Sequence, residues 1–405
     1  LIARLVADAG LQSRRMDPDP KAEARYVVRY RRPIEMPAKP LGFFTTPLFT
    51  LGAKLAVLRE PFRPAKRDAV EESIADFVRR RLCREFLDHA IDALVAGIYA
   101  GDPEKLSVQQ AFPKLAALEE KYGSMIKGQI LGARERKKSG EVAKDRAPKF
   151  SFDEGLQVLP DTLRDLLGTA VRLNTAVTRL KQIAGGWTVS FQGAAGHGED
   201  EHSAVLYAGT AFKLAELQVE PAGAARLDLS PFSGVRYPPV ASVVLGFRRE
   251  DVAHSCNGFG MLIPKIEGFK ILGTIFSSAL FPNRAPAGHH TLTSYVGGER
   301  YPELASLPAE KLYEIVCEDL RVLLGVRGKP TFAHTVYWPK AIPQYNLGYG
   351  KYRALMTEIE SRTSGFFLAG HYRDGVSLGD SMVSGVNVVD RIEKHLKAGT
   401  STTST

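Results

Sequence analysis

The hydrophobic period of this chain changes near Pro148, and that change limits the fold more than any other feature. From about Asp68 to Tyr122 apolar residues recur at three- and four-residue steps: Val70, Ile74, Phe77 and Val78, then Leu82, Phe86 and Leu87, then Leu94 and Val95. That is the spacing of helices with one buried face. Gly97, Ala100 and Gly101 interrupt one of them, and small residues there let something approach the backbone. Beyond Pro148 the runs are short and punctuated by glycine and proline. "SFDEGLQVLPDTLRDLL" predicts a turn and a helix, "VRLNTAVTRLKQI" and "WTVSF" a hairpin turned at Ala184-Gly185-Gly186, and "SAVLYAG" a further strand. "VASVVLGFRRE", "GFGMLIP", "FKILGTIFSSALFP" and "HTLTSYVGG" predict a largely antiparallel sheet, with a helix from roughly Pro308 to Leu324 after it. The aromatic, proline-rich "TFAHTVYWPKAIPQYNLGYGKY" reads as a connection back to the first domain. The order of elements predicts an α/β plus α+β architecture with a discontinuous first domain, and 405 residues suffice for two or three cores.

Charge and cysteine usage narrow the partners. Lys and Arg number 54 against 45 acids, a net +9 that favours an anionic partner: a lipid surface, a nucleic acid, or a substrate rich in carboxylate or phosphate. Cys83, Cys256 and Cys317 stand far apart, so neither a disulfide framework nor a zinc knuckle is written, and a reducing compartment fits. "LIARLVADAGLQSRRMD" lacks the order of a signal peptide, and its start on Leu1 reads as mid-protein. No run of eighteen apolar residues predicts a spanning helix. Leu41 to Leu58, followed by Arg59, Arg63, Lys66 and Arg67, has the make-up of a segment lying on a membrane; a buried helix pair beside a linker fits the same pattern. "RERKKSGEVAKDR", Arg134 to Arg146, reads as a solvated loop. "GAAGHGEDEHS", with His197, Glu199, Asp200, Glu201 and His202, reads as a solvated hairpin tip rather than a metal site.

One stretch, "FLAGHYRDGVSLGDSMVSG", supports two chemistries. Gly375-Val376-Ser377-Leu378-Gly379 spells G-x-S-x-G, the elbow of many serine hydrolases, which needs an acid and then a histidine downstream. The histidine that follows is His395, eighteen residues on and roughly 27 Å along a continuous helix, out of hydrogen-bonding reach. The other reading is a buried parallel strand, "SGFFLAG", ending at Gly370 and feeding a helix from around Val376 whose N-terminus faces the electron-rich edge of a cofactor. A plain strand-to-helix turn remains the alternative.

Seven stretches together carry a resemblance: "RYVVR" (Arg25 to Arg29), "AGIYAGDPEKLS" (Ala96 to Ser107), "AFPKLAALEEKYGS" (Ala111 to Ser124), "GFGMLIP" (Gly258 to Pro264), "LGTIFSSALFPNRAP" (Leu272 to Pro286), "YVGG" (Tyr295 to Gly298) and "LAGHYRDGVSLGD" (Leu368 to Asp380). Through them the chain resembles, nearly end to end, the oxygen-dependent protoporphyrinogen oxidase family of FAD-dependent, amine-oxidase-like flavoproteins. The resemblance implies an FAD-binding domain over residues 1-24, 148-215 and 362-398, and a mixed-sheet substrate-binding domain over 25-40 and 216-361. It further implies a helical, membrane-associating domain over 41-147 and a tail over 399-405. It places Val177, His371, Val376, Ser377 and Leu378 against FAD, Arg29 against a substrate propionate, and Gly97, Tyr99, Phe259, Leu262, Phe281 and Tyr295 around the macrocycle. The implied activity is the six-electron oxidation of protoporphyrinogen IX to protoporphyrin IX in heme biosynthesis, with dioxygen as acceptor and hydrogen peroxide as product. No side-chain catalyst and no metal are implied. The expected setting is cytoplasmic and peripheral to a membrane, with no nucleic-acid partner and room for a homodimer. Coproporphyrinogen III oxidation, a non-enzymatic tetrapyrrole carrier and a flavin amine oxidase are the alternatives. Arg29→Ala is expected to raise KM more than it lowers kcat, because a propionate contact far from the reacting carbon is the same in ground and transition states.

The sequence departs from the family in one respect. Such flavoproteins open with a strand and G-x-G-x-x-G, and neither Gly258-Phe259-Gly260 nor Gly348-Tyr349-Gly350 has the third glycine or the strand-turn-helix setting. The expectation is a fragment, and these 405 residues expressed alone are expected not to retain FAD.

Overall fold

The computed structural model describes residues 1–39, 41–68, 70–139, 149–194 and 196–401, without the side chains of 134–139 and 399–401. They form two compact units: one of Leu1–Arg14, Glu154–Arg236 and Tyr349–Thr405, the other of Arg15–Asp153 and Tyr237–Gly348. The α/β plus α+β expectation holds, with mixed sheets in a chain that returns to its first unit at the end.

The larger unit is built on a seven-stranded sheet in the order Phe332–Trp338, Val240–Arg248, His289–Gly297, Ile271–Ile275, Gly260–Leu262, Arg25–Arg29 and Arg32–Glu35. Neighbours run antiparallel except Gly260–Leu262 beside Arg25–Arg29, which are parallel. Strict alternation decides which face is core. Ala241, Val243, Leu245 and Phe247 alternate with half-buried Ser242 and Val244, and they pack against Leu312, Val316, Leu320 and Leu323 of the helix Ala309–Leu324. Phe332–Trp338, read from sequence as a connection, is instead an edge strand. Six of its seven residues are exposed, so no burial pattern betrayed it.

The helical stretch of the same unit starts later than its apolar spacing predicts. Val70 is exposed and outside any helix, because Ser73 caps Ile74–Arg81 by accepting the Asp76 amide at 3.0 Å. Asp92–Tyr99 ends where Ala100 adopts a left-handed conformation with φ of 48°. Of the predicted loop Arg134 to Arg146, the first part is helix to Ser139, and 140–146 lie outside the described residues.

In the smaller unit Ala176–Ile183 and Gly186–Gly193 form the predicted hairpin. The polar stretch after it is not a loop: Gly196–His202 pairs antiparallel with Gly186–Gly193, so only its start is a turn. Both faces of that strand are largely solvated, and an all-polar strand has no period-two signal to read. Phe366–Leu368 is parallel to Val205–Tyr207, and the 24-residue helix Leu378–Ser401 follows, beginning two residues after Val376.

Candidate functional site

The sheet face turned away from Ala309–Leu324 carries a large cavity. Across three strands Val244, Thr293 and Ile275 stand opposite one another, with Gly246, Thr291 and Phe332 in the next row. These residues floor a space of about 930 Å³, and Phe259, Phe281 and Phe150 complete its aromatic wall. A cavity of this size, floored by a sheet and walled by aromatic rings, suits a broad, largely apolar ligand.

Two of the predicted pocket residues, Phe259 and Phe281, line this cavity. Gly97 and Leu262 meet each other instead: a Cβ on Gly97 would lie 2.5 Å from Leu262 Cδ2, so the glycine lets the helix Asp92–Tyr99 lie on the strand. Tyr295 is half-buried against Ala96, Ala100, Val240 and Leu272, and burial pushes its hydroxyl pKa up. Tyr99 is buried elsewhere, donating its hydroxyl to the Ala111 carbonyl at 2.9 Å with its ring beside Phe112 and Tyr345. The shelf made by this helix is clamped at its start, where Asp92 accepts from Arg300 Nη2 at 2.9 Å and from the Lys265 amide at 2.6 Å.

Arg29 is 6% exposed and donates through Nη2 to Glu85 Oε1 at 2.9 Å, while its Nε and Nη1 are buried without a hydrogen-bond partner among the described residues. Glu85 also accepts from the Thr50 amide and hydroxyl, and these bonds with Arg29 outweigh burial and hold its carboxyl below the usual range. Two cations missed from sequence stand nearer the cavity. The Arg25 guanidinium carbon and Lys149 Nζ lie 5.9 and 5.7 Å from the centroid of the Phe259 ring. Burial, and then Arg25, pushes the Lys149 pKa down, and neither cation is ion-paired among the described residues. A signal for Arg25 existed: in "RYVVR" alternation puts Arg25, Val27 and Arg29 on one face of the strand.

In the smaller unit Val177 is 47% exposed on its strand, opposite Phe191. His371, Val376 and Ser377 lie on the turn between Phe366–Leu368 and the final helix, and Leu378 opens that helix. Gly370 and Gly375 have φ of +120° and +129°, which other residues rarely adopt. Ser377 is the helix cap, accepting the Asp380 amide at 3.0 Å and donating to its carboxylate at 2.7 Å. His395 packs its ring against Phe367, so the G-x-S-x-G letters spell a cap and not a nucleophile. Burial pushes the His371 pKa down, leaving a neutral imidazole at pH 7. A glycine turn, a long helix N-terminus, a neutral His371 and exposed apolar Leu378 and Val177 fit a flavin, whose electron-rich edge the helix end favours.

The other glycine pairs do different work. A Cβ on Gly258 or Gly260 would lie 2.5 Å from the Ala24 carbonyl oxygen or 2.3 Å from that of Thr274, so both serve strand packing. Gly348 donates its amide to Glu71 at 2.6 Å.

A strand-turn-helix suited to a flavin and a mixed sheet bearing a large cavity define a flavin-dependent oxidoreductase. The chain belongs to the flavin containing amine oxidoreductase family, which it matches over residues 1–393, and FAD is its cofactor. It is 32% identical over 424 residues to protoporphyrinogen oxidase 2, chloroplastic/mitochondrial, of Arabidopsis thaliana, covering 98% of this chain and 82% of that protein. It is 28% identical to the coproporphyrinogen III oxidase of Bacillus subtilis, over 86% of this chain and 73% of that one. A crystal structure assigned as a protoporphyrinogen oxidase, from Exiguobacterium sp. 255-15, superposes with a TM-score of 0.76 at 21% identity, covering 98% of this chain and 85% of the other, and shares the fold.

Proposed function

We propose that the protein oxidises a porphyrinogen to a porphyrin, with protoporphyrinogen IX the first substrate and dioxygen the acceptor, giving hydrogen peroxide. The observation that carries this reading is the cavity of about 930 Å³ on a sheet face, walled by Phe259 and Phe281 and flanked by Arg25 and Lys149. A tetrapyrrole is an apolar disc with carboxylate arms, and it needs flat walls and cations at the rim. The bound FAD supplies the two-electron oxidation. His371, Val376, Ser377, Leu378 and Val177 are the residues proposed to hold it. The chain's own part is to orient the ring between its aromatic walls, to anchor an arm and to keep water from the reacting face. Similarity to a coproporphyrinogen III oxidase makes that four-carboxylate substrate the second candidate.

Full-length, flavin-loaded protein given protoporphyrinogen IX, coproporphyrinogen III or a polyamine, with porphyrin fluorescence and peroxide followed together, tests the reading. Porphyrin and peroxide should rise with a porphyrinogen; turnover of the polyamine alone would replace this reading by an amine oxidase. Two variants separate the arginines. Arg25→Ala should raise KM about tenfold with the denaturation midpoint unchanged, as loss of one charge-assisted contact requires. Arg29→Ala should lower that midpoint, because it strips Glu85 of its buried partner. The opposite pattern would return the propionate to Arg29.

Attachment to an anionic membrane surface belongs to the same proposal. Leu41, Phe44, Leu51, Leu55, Leu58 and Phe62 are exposed on and around Gly42–Thr45 and Leu51–Arg59, with exposed Arg59 and Arg67 beside them. Lys66 is held by Asp68, and Arg63 donates to the Arg80 carbonyl, so these two contribute less. Among the described residues no helix is long and apolar enough to cross a membrane. The protein should co-sediment with anionic vesicles at low salt and be released at high salt, each free basic residue contributing about 1 kcal/mol. Equal recovery with neutral vesicles would sink this part.

A further inference from the structure

A second, smaller cavity of about 290 Å³ adjoins the first, and His290 lines both. His290 is only 5% exposed, and what remains accessible of it faces the space that the two cavities share. The other polar residues of the small cavity are mainly donors. Arg249 is exposed and has no ion-paired or hydrogen-bonded side-chain partner among the described residues, and Lys21, Asn257 and Ser278 complete the wall. Its one carboxylate, Asp19, already accepts the Lys21 amide at 2.8 Å, and the Ser278 hydroxyl oxygen accepts the Thr291 amide at 3.0 Å. The backbone is arranged around this space: Cys256 adopts a left-handed φ of 52°, and its amide donates to His254 Nδ1 at 3.0 Å.

We propose that this cavity is a second carboxylate subsite, in which His290 and Arg249 receive an acidic arm of the ligand held in the larger cavity. The proposal rests on the porphyrinogen reading and extends it, since the Arg25 and Lys149 pair beside Phe259 then takes one arm and His290 with Arg249 another. An imidazole N–H and a guanidinium give directional donors to one carboxylate, and such charge-assisted contacts discriminate an acid from its ester. An uncharged tetrapyrrole ester of the same shape loses them.

Full-length, flavin-loaded protein should be titrated with a dicarboxylic porphyrin and with its monoester and diester, following quenching of porphyrin fluorescence. The diacid should bind about tenfold tighter than the monoester. Arg249→Ala, at an exposed position that folding tolerates, should remove most of that preference while leaving diester binding as it was, and His290→Gln should lower the ratio of diacid to diester affinity. The proposal is overturned if both variants bind the diacid as the unmodified protein does. It is equally overturned if inorganic phosphate binds in an Arg249-dependent way while porphyrin affinity ignores Arg249, for then the cavity takes a free anion. Failure of every porphyrin to bind would instead remove the porphyrinogen reading itself.

Discussion

Gly260→Ala should abolish porphyrin binding and lower the stability of the larger unit by about 3 kcal/mol or more. Gly260 has φ of +149°, and an added Cβ would stand 2.3 Å from the Thr274 carbonyl oxygen and 2.9 Å from the Ile275 Cα. Both neighbours are backbone of the adjoining strand, so relief requires the strand pair itself to open. That would move Phe259, whose amide donates to the Ala24 carbonyl at 2.7 Å and whose carbonyl accepts from the Phe276 amide at 3.0 Å. Denaturant titration and porphyrin fluorescence check the two effects. Phe259→Leu is the control: it should weaken porphyrin binding with little loss of stability beyond that of a smaller side chain. A Gly260→Ala protein with its midpoint intact would show that the strand pair is looser than this geometry allows.

Arg81→Leu should cost about 3–5 kcal/mol, among the largest losses at any single position of the helical stretch. Arg81 and Glu60 are both fully buried and ion-paired. Arg81 Nε donates to Glu60 Oε1 at 2.8 Å, and Nη1 reaches the Arg63 and Pro64 carbonyls at 3.1 Å. Glu60 in turn accepts from the Ser124 hydroxyl and from the Met125 and Ile126 amides, so one carboxylate caps the helix Met125–Ser139. Removing the arginine leaves that charge buried and half-satisfied. Burial alone would push the Glu60 pKa up, but Ser124, Arg81 and the two amides together hold it below the ordinary value. A depressed carboxyl stabilises the fold above its unfolded pKa of about 4.3, and the contribution is lost as pH falls through the lower folded value. The unmodified protein should therefore keep this stretch into mild acid, and Arg81→Leu should lose it at higher pH. Circular dichroism across acid titrations checks this; matching acid midpoints would show the pair to be energetically idle.

How much of the architecture was legible differs between elements for identifiable reasons. The sheet strands Val240–Arg248 and His289–Gly297 were readable because each buries one face, which imposes alternation. The final strand and helix were readable from an apolar run ending at a glycine. Phe332–Trp338 and Gly196–His202 were not, since edge strands solvated on both faces have no burial pattern to impose on sequence. Val70 shared the helical spacing of its neighbours, but the Ser73 cap sets where the helix begins.

Within the candidate site the same division holds. Residue types were legible: aromatic walls, small residues on a helix, and an arginine for an acidic arm. Their partners were not, because a partner comes from a distant part of the chain. Arg29 reads as a free cation until Glu85, 56 residues away, is placed against it, and Gly97 reads as an opening for a ligand until Leu262 fills it. By itself the sequence determined the class of fold, the family and the final strand-to-helix turn, all of which rest on local spacing and near-neighbour chemistry. Only the tertiary structure decided which cations are already neutralised, which glycines serve strand packing, and that His290 lines two cavities. Those properties depend on contacts between segments far apart in the chain, and the hydrophobic period of either segment carries no record of them.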